Sequence, residues 1–453
     1  MTLLDDVHLD LDERPVRRRR RLPAWPLTGV LMLYPLWWAS GLGVLVFYLA
    51  PIPMGFLLVR RWIAGRPILT PPGFLVWLLF LATVLAGLFS LGADPDGTVP
   101  GTAASRLVSY GFRLGGYLTL TVLLLYAGNL EEKELPQRRL IRLLGWLFLV
   151  TVAGGLLGMV APHFEFTAPV ELLLPKHVRS MGFVQSLVHP SAAQIMDLLG
   201  GEQPRPGAPW GYTNTWGNNL CLLIGWLLVA GAETRRNRVL TVLTVVVATV
   251  PIVYSLNRGL WIGLGVMALY VAVRLALRGK VAGLAGVAVA AAGLALAMAL
   301  TPLGGVVGAR LDDGKSNGVR AYTTQLAADG VLGSPLIGYG STRNTTGGRN
   351  SIAVGQSETC PRCGNFTIGG NGQLWQLLYA HGLIGTATYL GFFLIGLWRF
   401  RRDASAVGVA GSAALLSGFA AMFWYNALVT PLALTVLAYA VLWRNRTQGV
   451  VRR

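Results

Sequence analysis

Long apolar runs alternate with short polar segments over almost the whole sequence. The runs are about 18–25 residues long, which is enough for a helix to cross the hydrocarbon core of a bilayer. This pattern predicts an all-α polytopic membrane protein with about twelve transmembrane helices. We expect helices one to five within residues 25–162, six to nine within 216–301 and ten to twelve within 373–443.

Two long polar segments interrupt the alternation, at residues 163–215 and 302–372. Basic residues gather in the short segments between apolar runs and in the terminal tails 1–24 and 444–453. Because cytoplasmic loops are enriched in Lys and Arg, this distribution predicts that both termini are cytoplasmic and both long segments are external. Loops of this size between membrane spans are usually functional.

The overall composition fits a membrane protein and little else. Of the 453 residues, 53% are hydrophobic and 13% are charged, and the mean hydropathy is +0.55. The formal net charge of +18 lies in clusters between apolar runs, which indicates a topology signal and argues against nucleic acid as a partner. The bias towards Ala, Gly, Val, Leu and Arg is typical of a high-GC bacterium, so we expect the inner (plasma) membrane.

Other function classes lack their usual sequence signals. The basic run Arg17–Arg21 precedes a long apolar stretch without a cleavage site, which predicts a start-transfer anchor. The sequence has no Walker motif and no spacing typical of a zinc site, so we expect neither a nucleotide cofactor nor a bound metal. No apolar run carries the series of carboxylates that ion-coupled transporters commonly use.

Four arginines that are predicted to lie on the external side of the membrane are candidates for binding an anion. Arg258, in SLNRGLWIGL, lies at the outer end of the eighth predicted span, as a snorkelling interface residue or as a bidentate clamp on a phosphate. Arg320 lies near the start of a short helix predicted over residues 317–329. Arg343 and Arg349 lie in a segment rich in Gly, Asn and Thr that indicates a mobile lid, where each binds substrate or is simply solvated.

The first external segment predicts amphipathic pieces at the membrane interface. His189 is its candidate general base, with His177 and Glu202 as alternatives; each could equally be a hydrogen-bonded interfacial residue. Arg179, within the segment, and Trp216, directly after it, are assigned to substrate binding.

Two smaller motifs each leave a choice open. The sequence ADPDG (residues 93–97) is typical of a turn, although paired external carboxylates could also bind a divalent metal or act as a base. Cys360 and Cys363 form CPRC in the second external segment. A disulfide is the expected form there, because a zinc ribbon needs a second cysteine pair.

Three pieces of the sequence resemble the O-antigen ligase and O-antigen polymerase family, which consists of multispan glycan transferases of bacterial envelopes. These pieces are SLNRGLWIGL, R-A-Y…SPLIGYG and NGQLWQLLYAHGLIG. Arg258 matches the arginine of the family's S-R-G-x-W-x-G-L pattern. Arg320 matches a functional arginine that precedes a P-L-x-G-x-G turn in the family.

The third piece departs from the family pattern. Asn371 stands where the family has a histidine associated with catalysis, and Gly372 follows it in place of asparagine. An asparagine cannot act as a base near neutral pH, although it can orient a hydroxyl group or donate to a phosphate. The resemblance therefore implies either a base from elsewhere in the chain, such as His189, or a subfamily with altered chemistry.

The resemblance implies a glycosyltransferase-C-like fold and a metal-independent glycan ligase. The enzyme would transfer a sugar or oligosaccharide from a polyprenyl-diphosphate donor to an envelope glycan or lipid acceptor at the external membrane face. Arg258 and Arg320 would hold the diphosphate and stabilise its developing charge. The alternatives are a polymerase that extends a lipid-linked glycan and a non-enzymatic transporter or flippase of an envelope glycolipid. Membrane lipids are the remaining expected partner.

Overall fold

The computed structural model describes residues 21–198, 201–300, 305, 308, 314–346 and 366–449. These residues are mainly helical and include one small sheet. The helices are α1 (Trp25–Met32), α2 (Tyr34–Ala39), α3 (Val46–Leu49), α4 (Pro51–Ile63), α5 (Phe74–Ala86), α6 (Ala103–Asn129), α7 (Gln137–Val160), α8 (Pro169–Leu173), α9 (Lys176–Arg179), α10 (Gly182–Val188), α11 (Thr213–Gly231), α12 (Arg235–Tyr254), α13 (Arg258–Ala276), α14 (Val281–Leu300), α15 (Gly314–Gly333), α16 (Gln373–Phe400), α17 (Ala406–Ala421) and α18 (Thr430–Gly449).

Within the described residues, six helical segments are long and apolar enough to cross a membrane. They are Val46–Ile63, Ala103–Asn129, Gln137–Val160, Arg235–Tyr254, Arg258–Ala276 and Gln373–Phe400. Shorter apolar helices, such as Ala406–Ala421, lie among them. The structure therefore agrees with the predicted helical membrane protein, whereas the count of about twelve spans is not confirmed.

Helix α18 occupies the centre of the helical bundle. Apart from Thr435, every residue from 431 to 444 is buried. The helix packs against α6, α11 and α17. Because a helix that is apolar on all sides has no solvent face to present, this sequence suits a central position, and its alanines allow neighbouring helices to approach closely.

The long polar segment at residues 163–215 contains the predicted short helices and an unpredicted hairpin. Helices α8, α9 and α10 are followed by strands β1 (Ala193–Leu198) and β2 (Gly201–Pro206), which pair antiparallel. The register places Gln194 opposite Arg205. This two-stranded sheet corrects the purely helical expectation, and it fixes the backbone of β2 close to the start of α13 (below).

Helix α16 is interrupted at Gly382, where φ is 64° and ψ is −167°. The backbone groups released by the break bond to the turn at residues 334–340, which is the SPLIGYG sequence. The N–H groups of Tyr339 and Gly340 donate to carbonyls of Tyr379 and Ala380, at 3.0 and 2.8 Å. In return, the N–H of Leu383 donates to the Pro335 carbonyl at 2.7 Å. Such a break is tolerated at membrane depth only where other backbone groups replace the lost hydrogen bonds.

Glycine is required on both sides of this contact. Gly338 has φ of 64°, and a Cβ there would lie 2.6 Å from the Tyr379 carbonyl oxygen. A Cβ on Gly382 would lie 2.5 Å from the Leu336 carbonyl. Since a side chain would be strained and would collide at either position, the two glycines explain why turn and helix can approach so closely.

Candidate functional site

Arg258 begins α13, and a constrained turn sets its position. Leu256, two residues earlier, has φ of 50°, a left-handed conformation that side chains rarely adopt. The Ser255 carbonyl accepts a hydrogen bond from Nε of Arg205 at 2.6 Å. Asn257 caps the helix through its side-chain oxygen. Strain of this kind persists only where the surroundings hold it, and it concentrates at functional sites.

Asn257 ties this turn to the neighbouring helix α11. Its Nδ2 donates to the Thr213 carbonyl at 3.0 Å, and its Oδ1 accepts from the N–H of Leu260 at 3.1 Å. The side chain is 1% exposed. The amide is therefore used fully for positioning, which leaves the adjacent Arg258 as the group that can meet a ligand.

Tyr425 lies where α13, α15 and β2 converge. A Cβ on Gly259, the residue after Arg258, would lie only 2.3 Å from the Tyr425 hydroxyl. Burial raises the pKa of Tyr425, while the nearby positive charges of Arg320 and Arg205 oppose that rise. Arg320 also donates from Nη1 to the Trp424 carbonyl at 3.1 Å. The phenol therefore sits within a group of positive charges.

The arginine cluster is defined here as Arg205, Arg258 and Arg320. Within the described residues, the half-buried Arg258 side chain makes no hydrogen bond or ion pair. Its five N–H donors are thus available to a ligand in this part of the chain. A guanidinium group suits phosphate because it can bind two oxygens at once.

Asn371 lies beside Arg320. Its Nδ2 donates to Oγ1 of Thr324 at 2.6 Å and to the Arg320 carbonyl at 3.4 Å. Its Oδ1 is buried without a hydrogen-bond partner among the described residues, as is that of Asn426. An unpartnered buried acceptor is costly, so these oxygens are suited to receive the hydroxyl groups of a ligand.

Gln373 joins the start of α16 to the connection that carries Tyr425. The N–H of Gln373 donates to the Tyr425 carbonyl at 2.9 Å, and its Oε1 accepts from the Ala427 N–H at 2.9 Å. The side chain is completely buried. Asn371 and Tyr425 are consequently held on one rigid support.

His189 forms a separate pair with Glu171. Nδ1 of His189 lies 2.8 Å from Oε2 of Glu171, and Nε2 lies 3.8 Å from Oε2 of Glu165. Glu171 is 4% exposed and also accepts from the Ala168 N–H at 3.3 Å. A buried carboxylate orients an imidazole ring in the way a general base needs. The described contacts of this pair stay within residues 163–215 and do not join it to the arginine cluster.

Arg343 does not occupy a mobile lid. It is 3% exposed, and among the described residues its guanidinium donates to backbone carbonyls, with which it forms a carbonyl cage. The acceptors belong to Ser90, Leu91, Ala93, Tyr339, Ser341 and Thr342, at 3.0–3.4 Å. Burial, together with the charge of Arg106, lowers the pKa of Arg343 to about 10. This geometry favours a structural role over the predicted role in substrate binding.

The ADPDG motif belongs to the same structural region. Arg106 donates to the carbonyls of Leu91 and Ala93, at 2.8 and 3.0 Å, and pairs with the Asp94 carboxylate. The hydrogen bond from Arg106 lowers the pKa of Asp94. The geometry therefore favours the turn reading of this motif over metal binding.

Trp216 and Arg179 also differ from the expected substrate contacts. Trp216 is completely buried, and its indole N–H donates to the Thr151 carbonyl at 2.8 Å, so it packs α11 against α7. Arg179 ends the four-residue helix α9, and none of its described contacts joins it to the arginine cluster. Arg349, Cys360 and Cys363 lie outside the described residues.

Sequence reasoning missed Arg205 and Tyr425. Arg205 lies in EQPRPGAPW, where prolines and glycine obscure the strand pattern. Tyr425 lies in an aromatic stretch between two apolar runs, which is typical of a membrane interface. Both residues lie on the same predicted side of the membrane as Arg258, and this was the signal in the sequence that could have identified them. Within the described part of the chain, no three His, Cys, Asp or Glu side chains are grouped to bind a metal.

A comparison with protein-family models finds no match for this chain, and a comparison with curated proteins finds none.

Proposed function

We propose that this chain is a membrane glycan ligase that uses a polyprenyl-diphosphate donor. The observation that carries the proposal is the convergence of Arg205, Arg320 and the turn bearing Arg258 on Tyr425. The charges of Arg205 and Arg320 both act on Tyr425, and Arg258 follows the turn that Arg205 holds, with its own donors unused among the described residues. Guanidinium groups of this kind suit a ligand with several negative charges, such as a diphosphate.

In the proposed reaction, an acceptor hydroxyl group attacks the anomeric carbon of the donor sugar. A new carbon–oxygen bond forms as the bond to the diphosphate breaks, and the diphosphate leaves with the electron pair. Arg258 and Arg320 stabilise the charge that develops on the leaving group. The lipid chain of the donor lies among the apolar helices, which accounts for a site so close to the bundle.

The proposed base is His189, which accepts the proton of the acceptor hydroxyl at Nε2. Its support is the hydrogen bond between Nδ1 and the buried Glu171, which leaves Nε2, 3.8 Å from Oε2 of Glu165, as the second ring nitrogen. Asn371 is proposed to orient the acceptor through its unpartnered Oδ1. The amide itself takes no proton.

The proposal includes a location. The chain lies in a bacterial inner membrane with both termini cytoplasmic and with the arginine cluster on the external side. Its support is the predicted asymmetry of Lys and Arg between segments. The acceptor distinguishes a ligase from a polymerase, which would extend a second copy of the lipid-linked donor.

A transporter of a lipid-linked glycan is the second candidate. The break of α16 at Gly382 favours it, because discontinuous helices surround the substrate sites of many transporters. Transport and transfer both require binding of the diphosphate. Only transfer breaks the bond between sugar and diphosphate.

Reconstituted full-length protein separates these candidates. Proteoliposomes receive a polyprenyl-diphosphate oligosaccharide and an acceptor glycolipid, and both free polyprenyl diphosphate and donor movement across the membrane are measured. We expect release of the lipid diphosphate, strongly reduced in Arg258→Ala and Arg320→Ala and unchanged in Arg402→Ala, which alters an exposed arginine outside the cluster. Movement of intact donor without release would refute the ligase and support the transporter.

The base has its own test. His189→Gln should lower the transfer rate strongly, because a glutamine amide cannot accept the proton of the acceptor hydroxyl. Glu171→Gln should lower the rate less, because the ring of His189 keeps a hydrogen-bond partner. Wild-type transfer rates in both variants would exclude His189 as the base while leaving the arginine assignments intact.

A further inference from the structure

A second basic recess lies at the far ends of α16 and α18, away from the arginine cluster. Gln373 and Thr430 begin these helices beside the cluster, and Arg399 and Arg446 lie near their other ends. The recess has a volume of about 540 Å³. Its lining residues are Thr70, Pro71, Pro72, Arg399, Phe400, Trp443, Arg446 and Thr447.

The charges of this recess are all positive. Both arginines are exposed, and none of the eight lining residues is acidic. Nη1 of Arg446 donates to the Arg399 carbonyl at 2.6 Å, which holds the ends of the two helices together. The Arg399 side chain makes no hydrogen bond or ion pair within the described part of the chain. Its donors can therefore bind an external anion.

Asp403 is the one acidic residue in the connection between α16 and α17, and its carboxylate already accepts hydrogen bonds. Its Oδ2 accepts from Nδ2 of Asn445 at 2.6 Å, and its Oδ1 accepts from the N–H and hydroxyl of Ser405 at 2.9 and 2.7 Å. These bonds fix Asp403 between α16 and α17. Within the described residues, Asp403 therefore forms no ion pair with Arg399 or Arg446.

Apart from Thr70 and Thr447, the remaining lining is apolar. Phe400 and Trp443 are almost completely buried, at 2% and 4% exposure, and Pro71 is buried beside them. Tyr439 fixes the proline segment by donating from its hydroxyl to the Pro72 carbonyl at 2.6 Å. The recess thus combines guanidinium donors with a rigid apolar floor at the end of membrane helices.

We propose that this recess binds the phosphate head group of an anionic phospholipid, with Arg399 and Arg446 on the phosphate and the glycerol and first acyl carbons against Trp443 and Phe400. Basic recesses between helix ends are suited to such head groups, and each arginine near the membrane surface strengthens binding. A free phosphate ion would use the guanidinium groups but not the apolar floor. This proposal is independent of the proposed transfer reaction.

Native mass spectrometry of the full-length protein tests the proposal. The protein in detergent is titrated with phosphatidylglycerol, with phosphatidylcholine, or with inorganic phosphate. We expect preferential retention of phosphatidylglycerol, and affinity about 30-fold weaker in the double variant Arg399→Gln/Arg446→Gln, from the electrostatic contribution of two arginines. Arg402→Gln, an exposed arginine outside the lining, serves as the matched control and should retain wild-type affinity.

The single variant Arg399→Gln separates loss of binding from misfolding, because the side chain of Arg399 makes no hydrogen bond or ion pair to the rest of the described protein. It should weaken phosphatidylglycerol binding without lowering the melting temperature. Equal retention of phosphatidylcholine, or wild-type retention by the double variant, would overturn the proposal. Displacement of phosphatidylglycerol by millimolar inorganic phosphate would identify free phosphate as the ligand and would also overturn it.

Discussion

The carbonyl cage around Arg343 and the arginine cluster around Tyr425 use the same side chain in opposite ways. In the cage, the donors of Arg343 bond to backbone carbonyls that the fold brings around it. In the cluster, Arg258 has no hydrogen bond or ion pair among the described residues, and Arg205 holds the turn that presents it. The difference separates arginines that bind the chain to itself from one that is left for a ligand.

The largest expected effect comes from removing the centre of the cage. Arg343→Ala leaves several buried carbonyls without donors, and we expect a loss of about 3–5 kcal/mol in stability. The apparent melting temperature in detergent measures this loss. Arg343→Lys retains the charge but has fewer donors, so its melting temperature should lie between those of the wild type and Arg343→Ala. A normal melting temperature with lost activity would instead make Arg343 a substrate-binding residue.

Arg258→Ala should have the opposite signature. We expect the transfer rate to fall about 10²–10³-fold, as when one donor to a developing anion is removed, with little change in melting temperature. Initial rates of lipid-diphosphate release provide the measurement, and Arg258→Lys tests whether charge alone suffices. A melting temperature lowered as far as that of Arg343→Ala would contradict the distinction between cluster and cage.

Asn371→Ala should give a smaller loss. The substitution removes the hydrogen bond to Thr324 and the unpartnered Oδ1, and we expect the rate to fall about tenfold. Asn371→Asp keeps the oxygens but removes the amide donor, so kinetics at several acceptor concentrations separate the two contributions. Wild-type kinetics in both variants would remove Asn371 from the site.

The smallest effect concerns Asp94 at the edge of the cage. Its folded-state pKa lies below the ordinary value of 3.8, because Arg106 donates to its carboxylate. The pairing therefore stabilises the fold above about pH 4 and is lost as pH falls through the lowered pKa. Asp94→Asn should reduce the melting temperature by about 1–2 °C at pH 7, since exposed ion pairs contribute little. The difference should shrink below pH 4; one that grew there would contradict this account.

The sequence predicted helices more reliably than side-chain environments. Apolar runs identified the membrane helices that carry the site, because such helices are specified by local composition. The predicted helix at residues 317–329 lies within α15. The local pattern around Arg343, with Gly, Asn and Thr, indicated a lid. Its burial arises from residues 90–93, which are distant in sequence, so no local pattern could have shown it.

Contacts between residues that are distant in sequence also explain why two site residues were missed. Arg205 became relevant through the β-hairpin and its bond to Ser255, fifty residues later in the chain. The packing of Tyr425 against Gly259 likewise joins distant segments. Arg258 and Arg320 were proposed from a resemblance of short motifs, and their role in transfer stays a prediction.

The break at Gly382 has a consequence for how the protein is assembled during synthesis. The turn at residues 334–340 leaves the ribosome before α16, yet its hydrogen bonds are made to Tyr379, Ala380 and Leu383 within that helix. The turn must therefore wait, with these groups bonded elsewhere, until α16 has been translated and inserted. About 14 Å of helix separates Gln373 from the break, so the turn and α16 meet at that depth below the start of the helix. This contact can therefore form only after the first half of α16 has been made.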